Sequence, residues 1–531
     1  MKIALIAPPY PLEEAPSPPL GICYVAAACE AAGAKVIILD FIVSGYTPEK
    51  LAKALDEFRP DVVGATSVTM NFPQAIRIIC DAKAHNPGII TMMGGPHVSF
   101  DASNTFTRYP ELDLIVRGEA EQTLSELVPA IGDPERAWDH IEGISFRRNG
   151  ELITTPWRDL ISDLDSLPLP ARHLLPMSRY LALGFPVSII TSRGCPNKCI
   201  FCLGRRMVGF KGRYRDPGLV VDEIEQILSY GFTRINVADD LFTANKNRVI
   251  TLCEEILRRN VRFNWSAFAR VNTVDREILS IMKQAGCDSI SFGIESGNPD
   301  MLKRIRKGIT LGQARKAVQC CKDIDIITHA SFMVGLPGEN SQTLEQTDAF
   351  ARELGIAYGY HFLAPFPGTS VREEVDQYDL TILTDDWSLY DANRPVVSTS
   401  ALSPEDMVSF VDAFDQEQNQ RWQEVEQLYL EKKCTPYEQL LIEGHKRMRI
   451  IYRILTEDLV EAAPGKADNG TEPSAILGSF ISSATGAGIE AASKIAHDLM
   501  AAGFIRHESS GEDLKFFWTH NRYLERLPVP Y

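Results

Sequence analysis

The sequence predicts an α/β chain in three parts. A doubly wound parallel sheet comes first, a series of six strand–helix units second, and a mainly helical region last. Three observations carry this reading. Short apolar runs alternate with helix-period runs from Lys2 to Arg117. Further strand-like runs recur at regular spacing between Val187 and Leu363. From about Thr381 the alternation stops, and long charged amphipathic stretches replace it.

In the first part, strands are predicted over residues 2–7, 35–40, 61–66, 88–93 and 112–117, and helices over 20–32, 48–58 and 73–85. Strands separated by single helices imply a parallel sheet wound on both faces. Ligands of such sheets sit at the carboxyl ends of the strands. Three strand ends here are unusual: Thr66-Ser-Val-Thr-Met-Asn-Phe72, Gly94-Gly-Pro-His-Val98 and Gly118-Glu-Ala-Glu121. Glycine pairs let a ligand approach the backbone closely. No G-x-G-x-x-G follows the first strand, which argues against a nicotinamide or flavin dinucleotide. Residues 144–185 read as a connector, with Leu167-Pro-Leu-Pro-Ala-Arg172 too proline-rich for a helix interior.

In the second part, strands are predicted over 187–193, 234–238, 264–270, 289–294, 328–334 and 359–363, with helices between them. Six units are too few for a closed eight-stranded barrel. Polar residues gather at the carboxyl ends of these strands, where barrel enzymes keep their sites. They are Asp239-Asp240, Arg270, Glu295 in Gly293-Ile-Glu-Ser-Gly297, Gly335-Leu-Pro-Gly-Glu339 and Phe366-Pro-Gly-Thr369. Asp-Asp at a strand end is also a common helix N-cap. Tyr358, Tyr360 and His361 either face a substrate or pack the barrel. In the last part, residues 403–433 and 436–459 read as helices, 462–472 as a polar linker, and 473–485, 489–502 and 504–518 as two helices and a ribbon of winged-helix type.

The whole chain has 531 residues, 45% hydrophobic and 23% charged, which suits a globular protein of two to four domains. Its formal net charge of −16 argues against a general nucleic-acid binder, and no basic stripe marks the C-terminal unit. The apolar start Met1–Ala7 stops at Pro8-Pro9, too soon for a signal segment, and no run reaches the ~20 residues of a membrane span. A cytoplasmic location without a membrane partner is the expectation. Eleven scattered cysteines suit reduced thiols better than a disulfide framework.

Most of the chemistry is concentrated in Thr191-Ser-Arg-Gly-Cys-Pro-Asn-Lys-Cys-Ile-Phe-Cys202. Cys195, Cys199 and Cys202 have C-x3-C-x2-C spacing. Three thiolates on one loop can hold three irons of a 4Fe–4S cube and leave the fourth iron open, as a catalytic centre requires. A zinc knuckle is the alternative, but zinc takes four ligands, and no Cys or His lies within twenty residues downstream of Cys202.

This loop resembles the signature of the radical S-adenosylmethionine (radical SAM) superfamily. The resemblance covers roughly residues 185–370 and implies a partial (β/α)6 barrel in which SAM chelates the open iron. It places Phe201 near the adenine, Asp239 at the methionyl amino group, Glu295 at a ribose hydroxyl, and Arg270 and Gly335 among the other SAM contacts. The first part resembles the cobalamin-binding domain that precedes this barrel in one branch. The cobalamin contacts implied are Ser67, Thr69, Met70, Gly94, Gly95, Pro96, His97, Gly118 and Glu119. The Asp-x-His-x-x-Gly loop that supplies a cobalt ligand in other cobalamin domains is absent, and Asp139-His-Ile-Glu-Gly143 has the wrong spacing. The resemblance therefore implies base-off cobalamin with no histidine ligand, the lower cobalt face meeting Ser67–Asn71. His97 is read as a contact to the cobalamin tail or as a turn-stabilising residue.

The domains expected are 1–140 for cobalamin, 141–184 as connector, 185–380 as barrel and 381–531 as a mainly helical cap. The activity implied is methyl transfer from SAM through methylcobalamin to an unactivated carbon, after the 5′-deoxyadenosyl radical abstracts a hydrogen. The substrate would be a peptide or protein side chain or a natural-product scaffold, and the electron donor an external ferredoxin or flavodoxin. Oxidative cyclisation or ring rearrangement without methyl transfer is the first alternative, a non-catalytic cobalamin or redox sensor the second.

Overall fold

The computed structural model describes residues 1–10, 16–463, 465, 471–510 and 513–520. Most of the linker expected at residues 462–472 lies outside these. The first sheet has seven strands: β1 (Lys2–Ala7), β2 (Lys35–Asp40), β3 (Val62–Thr66), β4 (Ile90–Gly94), β5 (Leu114–Val116), β6 (Ile144–Arg148) and β7 (Glu151–Thr154), in the order β2-β1-β3-β4-β5-β6-β7. The first five are parallel, and the order reverses at β1, between β2 and β3. In such sheets the crevice for a ligand opens at this switch point. The strands are almost wholly apolar because helices cover both faces.

β6 and β7 correct the connector reading. They add antiparallel to β5 and extend the first sheet through Thr154. The turn signal Asn149-Gly150 between them, both residues at positive φ, was visible in the sequence.

The second sheet has six parallel strands: β8 (Val187–Ile189), β11 (Arg234–Val237), β12 (Asn264–Ala269), β13 (Cys287–Glu295), β14 (Ile327–Val334) and β15 (Ala357–Phe362), in sequential order. Between β8 and β11 lie two short strands, β9 (Ser192–Arg193) and β10 (Arg213–Tyr214), paired antiparallel. The expected single strand over 187–193 is thus two pieces. A helix precedes each later strand, and side-chain caps open several of them, such as Asn245, Asp275 and Asn298.

The C-terminal region forms helices Pro404–Leu430, Pro436–Thr456, Pro473–Thr485 and Ile489–Ala501, then a ribbon of Ile505–Ser510 with Asp513–Trp518. No helix among the described residues is long and apolar enough to cross a membrane.

A buried ion triad fastens the connector to the second sheet. Glu223 is fully buried and takes Arg172 at 2.6 Å and Arg215 at 2.5 Å, while Arg172 also donates to the Ser188 carbonyl of β8 at 2.9 Å. Removing one partner of such a group leaves uncompensated charge in a dry environment. Glu223→Ala is expected to destabilise the barrel by about 3–5 kcal/mol, read as a lower urea midpoint of its unfolding transition. An unchanged midpoint would show that the triad is not desolvated.

Candidate functional site

The β9–β10 pair turns residues 194–212 into a closed loop at the end of β8. Gly194 sits at φ 105°, and a β-carbon there would come 2.3 Å from the Lys211 carbonyl oxygen, so glycine alone fits. The Cys195 amide donates to the Gly209 carbonyl at 3.1 Å. Each of the three sulfurs then receives its own N–H donor. Asn197 Nδ2 donates to Cys195 Sγ at 3.3 Å, Arg270 to Cys199 Sγ at 3.5 Å, and the Gly204 amide to Cys202 Sγ at 3.4 Å.

All three cysteines line one cavity of about 230 Å³, together with Phe201, Asp240, Arg270, Glu295 and Lys307. Burial, with Cys199, Cys195 and Asp240 nearby, pushes the Cys202 thiol up, so thiolate there needs a compensating cation. Three sulfurs with N–H donors around an open cavity fit a polynuclear iron–sulfur cluster with space beside it for a ligand.

The strand-end polar residues divide. Arg270 donates to Cys199 and also to the Lys307 carbonyl, so it stands against the cluster bed. Glu295 is a non-glycine residue at φ 74°, at a register shift between Gly293 and Glu295. That backbone costs about 1–3 kcal/mol and folds the carboxylate back over Gly293, where a β-carbon would come 2.5 Å from Glu295 Oε1. Lys307 Nζ donates to Glu295 Oε1 at 2.7 Å and stands 5.7 Å from the Phe201 ring centroid.

Asp239, expected at the methionyl amino group, is engaged by the loop itself. Its carboxylate is buried beneath the loop and accepts from the Thr191 amide, the Thr191 hydroxyl and the Ser192 hydroxyl, each at 2.6 Å. The neighbouring Asp240 lines the cavity instead and accepts from the Gly194 amide at 3.0 Å. Counting by twos from Asn236 on β11 reaches Asp240, so strand parity held this signal. Gly335 is also away from the cavity lining. Its turn is closed by buried Glu339, whose Oε2 accepts from the Gly335 and Leu336 amides at 2.7 and 3.2 Å, and burial pushes that carboxyl up to about 8. A β-carbon on Gly335 would meet Val397 and Met407.

At the first sheet, the strand ends form a linked bed. The Ser67 amide donates to the Gly94 carbonyl at 3.0 Å, and Gly95, at φ 102°, lies so close that a β-carbon would be 2.4 Å from the Ser67 carbonyl oxygen. The Ser99 hydroxyl donates to the Gly95 carbonyl at 2.8 Å and accepts from the Gly118 amide at 3.0 Å, tying the ends of β4 and β5 together. The Ser67 hydroxyl is buried with no hydrogen-bond partner among the described residues. Beside it, an apolar slot lined by Leu5, Ile22, Gly64, Met92, Gly94 and Gly95 enters the sheet. Glycine-tight loops, an unsatisfied hydroxyl and an apolar slot at the switch point fit a large cofactor with an apolar arm.

Thr69 is buried and Met70 half-buried. Pro96 opens the short helix Pro96–Phe100. The His97 ring lies 4.0 Å from the Phe72 centroid and 5.0 Å from that of Trp387, with Nδ1 3.2 Å from Thr69 Oγ1. Burial, and then Arg372, lower its pKa to about 3, so it packs as a neutral ring. Glu119, expected as a cobalamin contact, is held by two arginines. Its carboxylate is filled by Arg213 at 2.8 and 2.7 Å, Arg193 at 3.2 Å and the Ile161 amide at 2.9 Å. Arg193 also holds Glu121 at 2.5 Å. The sequence reading named Asp240 beside Asp239 but gave no role to Asn197, Lys307 or these two arginines. Lys307 lies in a loop after a short helix, where no periodicity marks it.

Residues 14–128 match the family model of the B12 binding domain, and residues 189–351 that of the radical SAM superfamily. An uncharacterized methyltransferase of Pyrococcus horikoshii is 36% identical over 415 residues, covering 76% of this chain and 89% of its own. The chain belongs to the cobalamin-dependent radical SAM family. An anaerobic magnesium-protoporphyrin IX monomethyl ester cyclase of Rubrivivax gelatinosus is 30% identical over 399 residues, covering 72% of this chain and 70% of its own. The structure of the cobalamin-dependent SAM radical enzyme OxsB has a TM-score of 0.67 at 19% identity, covering 94% of this chain and 78% of that one. That of the methyltransferase TsrM from Kitasatospora setae has a TM-score of 0.62 at 20% identity, covering 76% and 84%. Both share the fold. As a radical SAM enzyme with a B12 binding domain, this chain uses a 4Fe–4S cluster, SAM and cobalamin.

Replacing Cys195, Cys199 and Cys202 together with Ala should abolish the visible charge-transfer absorbance of the reconstituted chain. Retention of a four-iron cluster in that variant would refute the assignment. Glu295→Gln should weaken SAM binding by roughly tenfold to a hundredfold, the loss of about 1.5–3 kcal/mol for a hydrogen bond to a charged group. Calorimetry of the cluster-loaded chain measures this. Unaltered affinity with a lower melting temperature would make Glu295 a purely structural partner of Lys307.

Proposed function

We propose that this enzyme transfers a methyl group from SAM to an unactivated carbon of its substrate. When bound, cobalamin would carry the methyl group, and the cluster would cleave a second SAM to give the radical that removes the substrate hydrogen. Cys195, Cys199 and Cys202 would hold the cluster. Asp240, Arg270 and Glu295 would orient SAM. The Ser67, Gly94-Gly95 and Gly118 loops would bed the cobalamin in base-off form.

One observation carries the reading: the two beds are in direct contact. Phe100, after the Gly94-Gly95 turn, and Leu203, next to Cys202, both close on Gly368. Arg206 of the cysteine loop donates to the Gly368 carbonyl at 2.7 Å and stands 5.6 Å from the Phe100 ring centroid. A substrate held at this junction would reach both centres, and positioning of that kind can supply up to ~7–11 kcal/mol of a barrier. Electrons would come from an external donor such as a ferredoxin or flavodoxin. The cyclase relative supports a second reading, ring formation without methyl transfer.

Incubating the fully loaded enzyme with reductant and methyl-labelled SAM separates the two. Methyl transfer predicts S-adenosylhomocysteine equal to the bound cobalamin, with the label retained by the protein. Formation of 5′-deoxyadenosine without S-adenosylhomocysteine would favour the ring-forming reading. In the same sample, a cob(II) spectrum free of nitrogen superhyperfine splitting is expected, and such splitting would reveal a lower nitrogen ligand.

A further inference from the structure

The inner wall of the barrel is built unlike a packed core. Phe268 on β12 and Gly293 on β13 line the cluster cavity, which fixes the inward face of those strands. Alternation and register carry this face across the sheet. Phe268 stands beside Ser291, Ser291 beside His329, Gly293 beside Ser331, Ser331 beside Gly359 and Met333 beside His361. The opposite face carries Ala330, Phe332 and Tyr360, all buried. Tyr360 packs there on Phe410 and Phe414, at 5.0 and 5.1 Å between centroids. Tyr358 also contacts Phe414, so the two tyrosines belong to the outer layer and His361 to the inner one.

Barrel interiors are ordinarily filled by bulky branched side chains. Beside Phe268 and Met333, this wall presents serines, glycines and two imidazoles. His361 is exposed and His329 half-buried. His329 Nε2 lies 4.0 Å from the place a β-carbon on Gly359 would occupy, so that glycine leaves the imidazole edge open. Burial, and then His361, hold the His329 pKa below its ordinary value.

The acidic groups along this wall are already paired. At its floor Asp288 takes Arg234, which also donates to Ser289 at 3.2 Å, and at its rim Glu295 takes Lys307 beside Arg270. Asp240 stands across the cavity on the cysteine loop and accepts the Gly194 amide. The wall therefore offers donors: two imidazole edges and the hydroxyls of Ser291 and Ser331.

We propose that His329 and His361, with Ser291 and Ser331, hold an anionic group of the substrate, a carboxylate or a phosphate, against the inner wall of the barrel. This rests on the reading above that the barrel acts on a substrate carbon. It makes the substrate an acidic molecule whose reacting carbon lies toward the cysteine loop and whose anionic end lies deeper among the strands. An approaching anion would favour the charged form that burial and the neighbouring His361 disfavour at His329.

The test uses the cluster- and cobalamin-loaded enzyme under anaerobic conditions. Diethylpyrocarbonate modification of each histidine is followed by mass spectrometry in chloride, inorganic phosphate or succinate at matched ionic strength. Modification of His329 and His361 should slow several-fold in at least one of the two anions, and exposed His140 and His497 should be unaffected. Which anion protects distinguishes phosphate from carboxylate. In His329→Gln, the protection of His361 should fall. Equal rates in all three salts, or equal slowing at His140 and His497, would overturn the proposal. The methyl-labelling experiment on the same preparation separates the two readings. If S-adenosylhomocysteine forms without histidine protection, only the anion site falls. If protection appears without S-adenosylhomocysteine, only methyl transfer falls.

Discussion

The ion pairs of Arg193 and Arg213 with Glu119 and Glu121 are the constraint on which the site depends. They join the Gly118 turn of the first sheet to the two strands that close the cysteine loop. Arg193 is pinned by two carboxylates and stands 5.3 Å from the Tyr24 ring centroid, and burial opposes its charge while both glutamates favour it. The next residue is Gly194, which has no freedom to adjust, and Cys195 follows. A unit-charge pair at contact is worth about 4 kcal/mol at an effective dielectric of 20, but dehydrating the groups offsets much of that. The net effect is therefore registration more than stability. The first-sheet strand ends and the cysteine loop are referenced to the same pair of arginines.

The same economy of placement governs the cavity that the three cysteines line. Glu295 could reach its position only through the left-handed backbone after Gly293, and Gly293 is glycine because the returning carboxylate occupies its side-chain space. Lys307 satisfies that carboxylate, while the Lys307 carbonyl accepts from Arg270, and Arg270 in turn donates to Cys199. Strain on one strand end, a lysine from a loop and an arginine from another strand thus form one chain of contacts ending on the Cys199 sulfur. Strained backbone held by such partners marks a site in which position matters more than local stability.

What the sequence revealed and what it hid follow from this arrangement. The parallel sheets were legible because βα alternation and continuous apolar runs are local properties. The cysteine loop was legible because its three cysteines lie within a few residues of one another. Asp239 and Glu119 were assigned to cofactors on motif position, yet their carboxylates are consumed by partners that no short window contains: Thr191 and Ser192 for one, Arg193 and Arg213 for the other. Strand parity separates Asp240, which lines the cavity, from Asp239. The antiparallel extension β6–β7 hid behind the prolines that follow it. Tyr358 and Tyr360 look like site residues in isolation, and the aromatic stripe of Phe410 and Phe414 that receives them is forty residues or more away in the chain.

The least legible feature is how the three regions lock together, and buried Arg179 shows why. It lies on the connector helix Met177–Leu183, donates to the Val43 carbonyl after β2 at 2.8 Å, and pairs with Glu461 and Asp458 of the C-terminal region. Asp458 also takes Lys50 and the Ser44 hydroxyl from the first sheet's side, and the Trp518 ring of the terminal ribbon lies 5.5 Å from the Arg179 guanidinium. One arginine thus contacts three segments, each more than a hundred residues from it in the chain. Its five donors in a rigid plane suit that task where a lysine ammonium would not. The C-terminal helices are therefore bound to the first sheet through the connector, and any motion that opens the junction between the two beds must either carry this cap along or break the Arg179 contacts.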